Sequence, residues 1–397
     1  MTKKTYLIAP DKFKDSLTGP QVCASLAKGI HSADPQATVI SLPLADGGEG
    51  TADALQAHFQ AREITVEVQD PLGRRIKSSY LLSRDGRVAI VEMARASGLQ
   101  LLLPEERNAA MTTSIGTGQL IAHALDQGVD EILLCIGGSA TNDGGTGMAT
   151  ALGYVFSDAE KKSIEGKGVN LSLIRSVDAS AVHPRLKKAC ISVAVDVTNP
   201  FTGPLGATRI YGPQKGAGPQ TLDMLEAGMK SLSVVVAQTM NIYLDKIPGT
   251  GAAGGLGGGA VAFLGATLRP GIEMVMEKTN FYEQLVKADV VISGEGKIDQ
   301  QTLSGKVVMG VAETCKKYNK PLILVGGICT LTTAEISLFG AEAVFCVIDK
   351  TTSLNKAIRR AGELLVEVGK EIAHKGIEKK LVHKIKKINT FKGSYNE

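Results

Sequence analysis

The sequence predicts an α/β protein in which the N-terminal and C-terminal parts share one parallel sheet and the middle forms an inserted second domain. Three observations carry this reading. Two strand–loop–helix units open the chain, alternating units of the same kind close it from Ala288 onward, and an antiparallel stretch interrupts them from Ile64.

Taken in order, Thr5–Ala9 is a short apolar strand ending at the charged loop Pro10–Ser16. Thr18 reads as the N-cap of a helix to about Gly29. Thr38–Leu42 is a second strand, ending in Ala45-Asp46-Gly47-Gly48-Glu49-Gly50-Thr51 before a helix over Ala52–Phe59. Ile64–Val68, Ile76–Leu82 and Arg87–Glu92 then read as antiparallel strands, with Asp85-Gly86 as a hairpin turn. Thr112–Gly118 is expected to cap a helix to about Gln127, and Glu131–Ile136 is the next strand. Residues 158–188 are polar and carry little signal. Ile191–Val195 is a buried strand ending in Asp196, and a long helix is expected over Gln220–Ile242. Ala288–Ser293, Pro321–Val325 and Ala343–Val347 complete the strands. Leu354, Ile358, Ala361, Leu365, Val368 and Ile372 recur at intervals of three and four, which predicts a terminal helix with those positions in the core. The expected domains are 1–62 with 285–375, an insertion over 63–284, and a basic extension over 376–397.

The centre of the chain is Gly137–Met148, where five glycines alternate with Ser139, Thr141, Asn142 and Asp143 between a strand and a helix. Glycine lets backbone approach a ligand, and amides at a helix start face negative charge. The hydroxyl, amide and carboxylate oxygens are of the kind that hard cations such as Mg²⁺ accept. A plain turn would need one or two glycines. Gly249-x-Gly-x-x-Gly254 matches a dinucleotide fingerprint, but no convincing strand precedes it. That match is discounted, while ligand-facing and close-packing readings both stand for the continuing glycines, Gly255-Leu-Gly-Gly-Gly259.

Composition narrows the classes. The chain has 397 residues, enough for two or three domains, and 44% apolar content supports a packed core. Residues 375–397 hold seven lysines against two acids, so of the formal +4 the rest carries −1. A near-neutral body without Trp is no nucleic-acid platform. Six scattered cysteines, with no Cys-x-x-Cys pair, read as free thiols and suit a reducing cytoplasm. No signal peptide and no membrane-spanning run is evident.

At least five strand-end loops combine Gly, Ser, acids and Lys. Their carboxylates are Asp11, Asp46, Glu49, Asp143, Asp196, Glu295 and Asp299, and their cations Lys12, Lys14, Lys215, Lys297 and Lys306. That is the equipment of phosphoryl transfer: amides and Lys hold phosphate oxygens, acids hold Mg²⁺, and one acid takes a proton from the attacking hydroxyl. No P-loop, protein-kinase catalytic loop, zinc-binding His pattern or Gly-x-Ser-x-Gly elbow is present.

Five blocks in order carry a closer likeness: Ala9-Pro-Asp-Lys-Phe-Lys14, Ala45–Thr51, Gly137–Met148, Gly212-Pro-Gln-Lys-Gly-Ala217 and Ser293-Gly-Glu-Gly-Lys-Ile-Asp-Gln-Gln-Thr302. From about residue 4 to about 375 the chain resembles bacterial glycerate kinases of the type-1 family. The resemblance implies a Rossmann- or flavodoxin-like parallel-sheet domain, an inserted α/β domain and an active site between them. It implies transfer of the γ-phosphate of ATP to D-glycerate, typically giving 2-phosphoglycerate, in the cytoplasm. It also implies ATP, Mg²⁺ and D-glycerate as partners, with no nucleic acid or membrane, in a monomer or homodimer.

Residue roles follow from the loop chemistry within that likeness. Gly137, Gly138, Ser139, Asn142, Gly144 and Gly145 are expected to cradle phosphates, with Glu295 and Lys306 facing the nucleotide from the other domain. Asp196, Lys215 and Asp143 form the expected catalytic set, Asp196 as base or metal ligand and Lys215 neutralising the transferring group. Asp11, Lys12, Lys14, Asp46 and Arg95 form the expected substrate set, and Asp143, Asp196 and Asp299 the metal set. Past Lys375 the likeness fades into a Lys-rich, weakly amphipathic helical stretch over Ile377–Ile388. A solvated extension and a membrane or nucleic-acid contact are both readings of it. Deleting residues 376–397 is expected to leave steady-state kinetics unchanged, and a large loss of activity would refute the solvated reading.

Two other functions remain open at this level. Gly255-Leu-Gly-Gly-Gly-Ala260 loosely resembles the phosphate loop of the galactokinase, homoserine kinase and mevalonate kinase superfamily, without its other motifs. A non-catalytic sensor of a sugar acid or nucleotide would need a partner-binding module that the body lacks.

Overall fold

The computed structural model describes residues 3–375 apart from 49, 305, 306 and 352. Two expected site residues, Glu49 and Lys306, and the whole extension 376–397 therefore lie outside the described residues. The chain divides into two compact units, one running to Leu44 and resuming at Asn280, the other spanning Ala45–Thr279.

In chain order, β1 (Thr5–Ile8) and β2 (Thr38–Ser41) open the first unit. The second unit holds β3 (Arg62–Gln69), β4 (Arg75–Leu82), β5 (Val88–Glu92), β6 (Glu131–Cys135), β7 (Val155–Ser157), β8 (Ser176–Asp178), β9 (Cys190–Ala194) and β10 (Thr267–Arg269). β11 (Val290–Ile298), β12 (Leu322–Cys329) and β13 (Ala343–Cys346) return to the first.

The first unit is a parallel sheet in the order β13-β12-β11-β1-β2. Counted within the unit this is the flavodoxin-like order 2-1-3-4-5, whose switch point lies between β1 and β11. Apolar residues on these strands, including Tyr6, Ile8, Val290 and Ile292, pack with the helices Gly19–Ala33 and Ala361–Lys375. Thr18 starts the first of these helices as predicted: its hydroxyl accepts the Gln21 amide, and the Gln21 side chain accepts the Thr18 amide at 2.9 Å. The two helices approach through Gly29 and Gly369. A Cβ at Gly29 would lie 2.1 Å from the Val366 carbonyl oxygen, and one at Gly369 2.4 Å from that of Leu26.

The second unit is a mixed sheet in the order β10-β9-β6-β5-β4-β3. β5, β6, β9 and β10 are parallel, while β3–β4 and β4–β5 are antiparallel. Ile132, Leu134 and Val193 of its central strands pack with Leu120 and Ile121 on one helix and Leu256 and Ala260 on another. The weak stretch 158–188 contains a 3₁₀ segment and β8, which pairs with β7 as a small antiparallel ribbon.

Several expectations are corrected. Residues 45–62, grouped by sequence with the first unit, fold with the second. The helix Thr51–Phe59 is held there by its Ala52 amide, which donates to the Glu92 carboxylate at the end of β5. The terminal helix breaks near Arg360 into Leu354–Arg359 and Ala361–Lys375. Leu354 and Ile358 are consequently exposed, at 44% and 38%, while Ala361, Leu365, Val368 and Ile372 are buried as expected. Of the cysteines, all free, Cys190 is exposed and Cys346 half-buried. No helix among the described residues is long and apolar enough to cross a membrane.

Candidate functional site

The glycine-rich loop leaves the carboxyl end of β6 and feeds the helix Thr146–Ala151. Its geometry is fixed by Asp143, which is fully buried. That carboxylate accepts the Ser114 amide and hydroxyl, each at 2.7 Å, and the amides of Gly145 at 3.1 Å and Gly147 at 3.3 Å. Burial pushes its carboxyl above the ordinary range, and the four donors pull in the opposite direction. Ser114 was expected only as part of a helix cap, but its hydroxyl binds Asp143 and accepts the Met148 amide at 2.9 Å. The hydroxyl run Thr112-Thr113-Ser114 was the available signal for a loop partner.

Lys215 joins this loop from the turn Pro213–Lys215. It is 1% exposed, and its Nζ donates to Ser139 Oγ at 2.6 Å and to the Thr141 carbonyl at 2.7 Å. Burial drives its pKa down to about 7, against the pull of Asp143. Asn142 donates to Thr208 Oγ1 at 3.1 Å, while Asn142 Oδ1 and Thr141 Oγ1 are buried with no hydrogen-bond partner. Three of the expected residues, Ser139, Asp143 and Lys215, are thus brought together with two unsatisfied polar atoms beside them. Gly137 and Gly138 carry the loop out of β6. Gly144 and Gly145, expected to face phosphate, instead pack inward against Leu232 and Gly259. The stretch at Gly254 is resolved in the same way: a Cβ there would lie 1.9 Å from the Thr141 carbonyl oxygen, so it is a close-packing glycine against this loop.

At the carboxyl ends of β5, β6 and β9 in the same unit, three acids gather. Asp196 is exposed and accepts the Gly271 amide at 3.1 Å. Asp46 accepts the Gly48 amide at 3.0 Å, and its backbone lies against Gly271. Glu92, missed by sequence reading, ends β5. Burial, then Glu92 and Asp196, and more weakly Asp46, push the Cys135 thiol upward, so all three charges act on the end of β6. Arg95 is engaged by Glu92 at 2.9 Å, Glu63 at 2.7 Å and Ser79 at 2.8 Å, so its guanidinium serves an ion-pair network.

In the first unit the switch-point loops meet. The Asp11 amide donates to the Gly294 carbonyl at 2.8 Å, and a Cβ at Gly296 would lie 3.0 Å from the Lys14 amide nitrogen. Asp11, Lys12, Lys14 and Glu295 therefore share one loop cluster, with Lys12 half-buried and Lys14 exposed. Asp299 pairs with Lys297 at 3.0 Å and accepts the Gln301 amide at 2.9 Å. Among the described residues no three His, Cys, Asp or Glu are arranged to hold a metal ion.

Carboxyl-end loops on parallel sheets, with a buried lysine clamped to a glycine-rich turn, give this α/β protein groups of the kind that can hold oxyanions. A glycerate kinase family model matches residues 6–375. Glycerate 2-kinase of Escherichia coli (strain K12) is 42% identical over 92% of this chain and 96% of its own. Glycerate kinase of Halalkalibacterium halodurans is 42% identical over 93% and 97%. A crystal structure from Salmonella typhimurium LT2, provisionally named glycerate kinase 2, superposes with a TM-score of 0.86 at 42% identity, covering 94% of this chain and 98% of its own. The chain belongs to the glycerate kinase family.

Proposed function

We propose that this chain is an ATP-dependent glycerate 2-kinase. The 2-hydroxyl oxygen of D-glycerate attacks the γ-phosphorus of ATP, the bond to the ADP oxygen breaks, and the hydroxyl proton passes to a carboxylate. The observation that carries this reading is Lys215, a buried cation fixed to Ser139 and Thr141 of the glycine-rich loop, within a chain of this family. Its charge offsets the phosphoryl oxygens, and the loop amides orient them.

Asp196 is proposed as the proton acceptor, since it stands at a strand end and is open to solvent. Asp143 acts through the loop it holds, because its oxygens already accept four protein donors. The residues present fit Mg²⁺ in the form this ion takes with nucleotides, one or two carboxylates plus phosphates and water. Asp46, whose carboxylate accepts one backbone donor, the Gly48 amide, would hold it and the ion would supply charge neutralisation, whereas Asp143 already accepts four protein donors and Asp299 is paired with Lys297. Lys12, Lys14 and Asp11 are proposed for the substrate set and Glu295 for the nucleotide set. Arg95, held by two carboxylates, is withdrawn from the substrate set.

The test is ADP release dependent on ATP, Mg²⁺ and D-glycerate, with the product position read by phosphorus NMR. Turnover to 2-phosphoglycerate supports the reading. ATP binding without turnover on glycerate would move the substrate to another hydroxy acid, and absence of ATP binding would overturn it. Asp196→Asn is expected to lower kcat at least about a hundredfold, the scale of a lost general base, with unchanged thermal unfolding. The Gly271 amide can still bond to the amide oxygen of the variant. Near-normal turnover would remove Asp196 from the mechanism.

A further inference from the structure

The segment Ser97–Ser114 wraps the glycine-rich loop and is stitched to it at both ends. The Ala140 amide donates to the Ser97 carbonyl at 2.9 Å, and the Leu99 amide to the Gly138 carbonyl at 2.9 Å. At the far end the Thr112 hydroxyl donates to the Ala140 carbonyl at 3.0 Å, and Ser114 donates to Asp143. Arg107 lies between these anchors, just after the 3₁₀ turn Pro104–Glu106.

Arg107 also touches the lysine turn. A Cβ at Gly216, the residue after Lys215, would lie 2.2 Å from the Arg107 carbonyl oxygen and 3.2 Å from the Arg107 Cβ. Its side chain differs from the other half-buried arginines of this unit. Arg95 and Arg269 pair with carboxylates, and Arg185, whose Nε is likewise buried without a partner, still donates through its Nη2 to the Gly128 carbonyl at 2.6 Å. Arg107 Nε is buried with no hydrogen-bond partner, and among the described residues its guanidinium forms no ion pair. A partly desolvated cationic donor left unpaired is costly unless an anion completes it. The fork geometry of guanidinium matches phosphate and carboxylate oxygens.

We infer that Arg107 is a second cation of the Lys215 site and binds an oxyanion of a bound reactant. The shared chemistry is a phosphate oxygen of the nucleotide or the carboxylate of the acceptor. The inference rests on the kinase reading for its reactants, but its contacts belong to residues outside the proposed catalytic and metal sets.

The test uses the full chain carrying Arg107→Gln, Arg107→Lys or Arg107→Ala. Arg107→Gln is expected to lower kcat/KM about ten- to a hundredfold, the range for a lost hydrogen bond to a charged group. Thermal unfolding should be unchanged, and Arg107→Lys should recover part of the loss. A rise confined to the KM for ATP identifies a phosphate, and a rise confined to the KM for D-glycerate identifies the carboxylate. Added guanidinium ion should partly restore Arg107→Ala, a rescue that a purely packing role would not give. Arg107→Gln with both KM values and kcat within twofold of the parent overturns the inference. If the parent shows no glycerate turnover, the kinase reading fails separately. The affinities for ATP and for D-glycerate by calorimetry then decide: weaker binding of either by Arg107→Gln supports the inference, and equal binding of both overturns it.

Discussion

Lys215→Met is expected to lower kcat/KM about a hundred- to a thousandfold, the scale of one lost donor to a developing oxyanion. Methionine roughly fills the buried space but supplies no charge and leaves Ser139 Oγ and the Thr141 carbonyl without their donor. The pH dependence is a sharper signature. Burial lowers the folded pKa to about 7 from 10.5 in spite of Asp143. In the free enzyme the ammonium is therefore lost as pH rises through about 7, and kcat/KM should fall along that limb. A bound polyphosphate favours the cation, so the alkaline limb of kcat should lie higher. Stability moves the other way. Between about 7 and 10.5 the unfolded chain holds a proton that the folded chain has released, so this group's penalty is full below about 7 and fades as pH rises. An alkaline limb that survives in Lys215→Met, or a rate within tenfold of the parent, would remove Lys215 from the chemistry.

Gly254→Ala is expected to cost about 2–5 kcal/mol of folding stability. Two effects combine. Gly254 has φ of +66°, where an L side chain costs about 1–2 kcal/mol, and its new Cβ would lie 1.9 Å from the Thr141 carbonyl oxygen. Overpacking of backbone that cannot yield adds about 1–3 kcal/mol. Gly86→Ala is the control: φ is +72°, but nothing lies within 4 Å of the added Cβ, so about 1–2 kcal/mol is expected. Denaturant unfolding of both variants separates the terms. Equal losses would show that Thr141 and the loop yield freely and that the glycine-rich loop is not clamped from that side.

Much of the architecture was legible because its signals are local. Strand, polar loop and helix recur at β1, β2, β6 and β11, with glycine-rich loops after β2 and β6, and each is written in a short stretch of chain. The Asp85-Gly86 hairpin was equally plain. The unit boundary was not legible, because the helix Thr51–Phe59 follows β2 in the same rhythm as a helix returning to its own sheet. Long-range bonds, from the Ala52 amide to Glu92 and from the Arg84 amide to the Phe59 carbonyl, show where it belongs. The candidate site divides in the same way. The loop and Lys215 could be named from residue type, but their pairing spans more than seventy positions and rests on burial. Asp143 looked like a metal ligand because sequence shows a carboxylate and not the four donors around it. Arg95 looked available because Glu63 lies far from it in sequence. Arg107 passed unnoticed because a missing partner leaves no mark on sequence.

The contact between the helices Gly19–Ala33 and Ala361–Lys375 has a consequence for how the protein is made. The first unit draws its core from both extremities of the chain, with Val22, Leu26 and Ile30 packing with Leu365, Val368 and Ile372. The second unit, Ala45–Thr279, is contiguous and is complete before β11 leaves the ribosome. At ordinary elongation rates, on the order of ten residues per second, the opening two strands and their helix wait tens of seconds for their partners. During that interval the glycine-bearing face of Gly19–Ala33 has nothing to lie against, so nascent chains stalled before residue 361 carry a folded second unit and an unfinished first one.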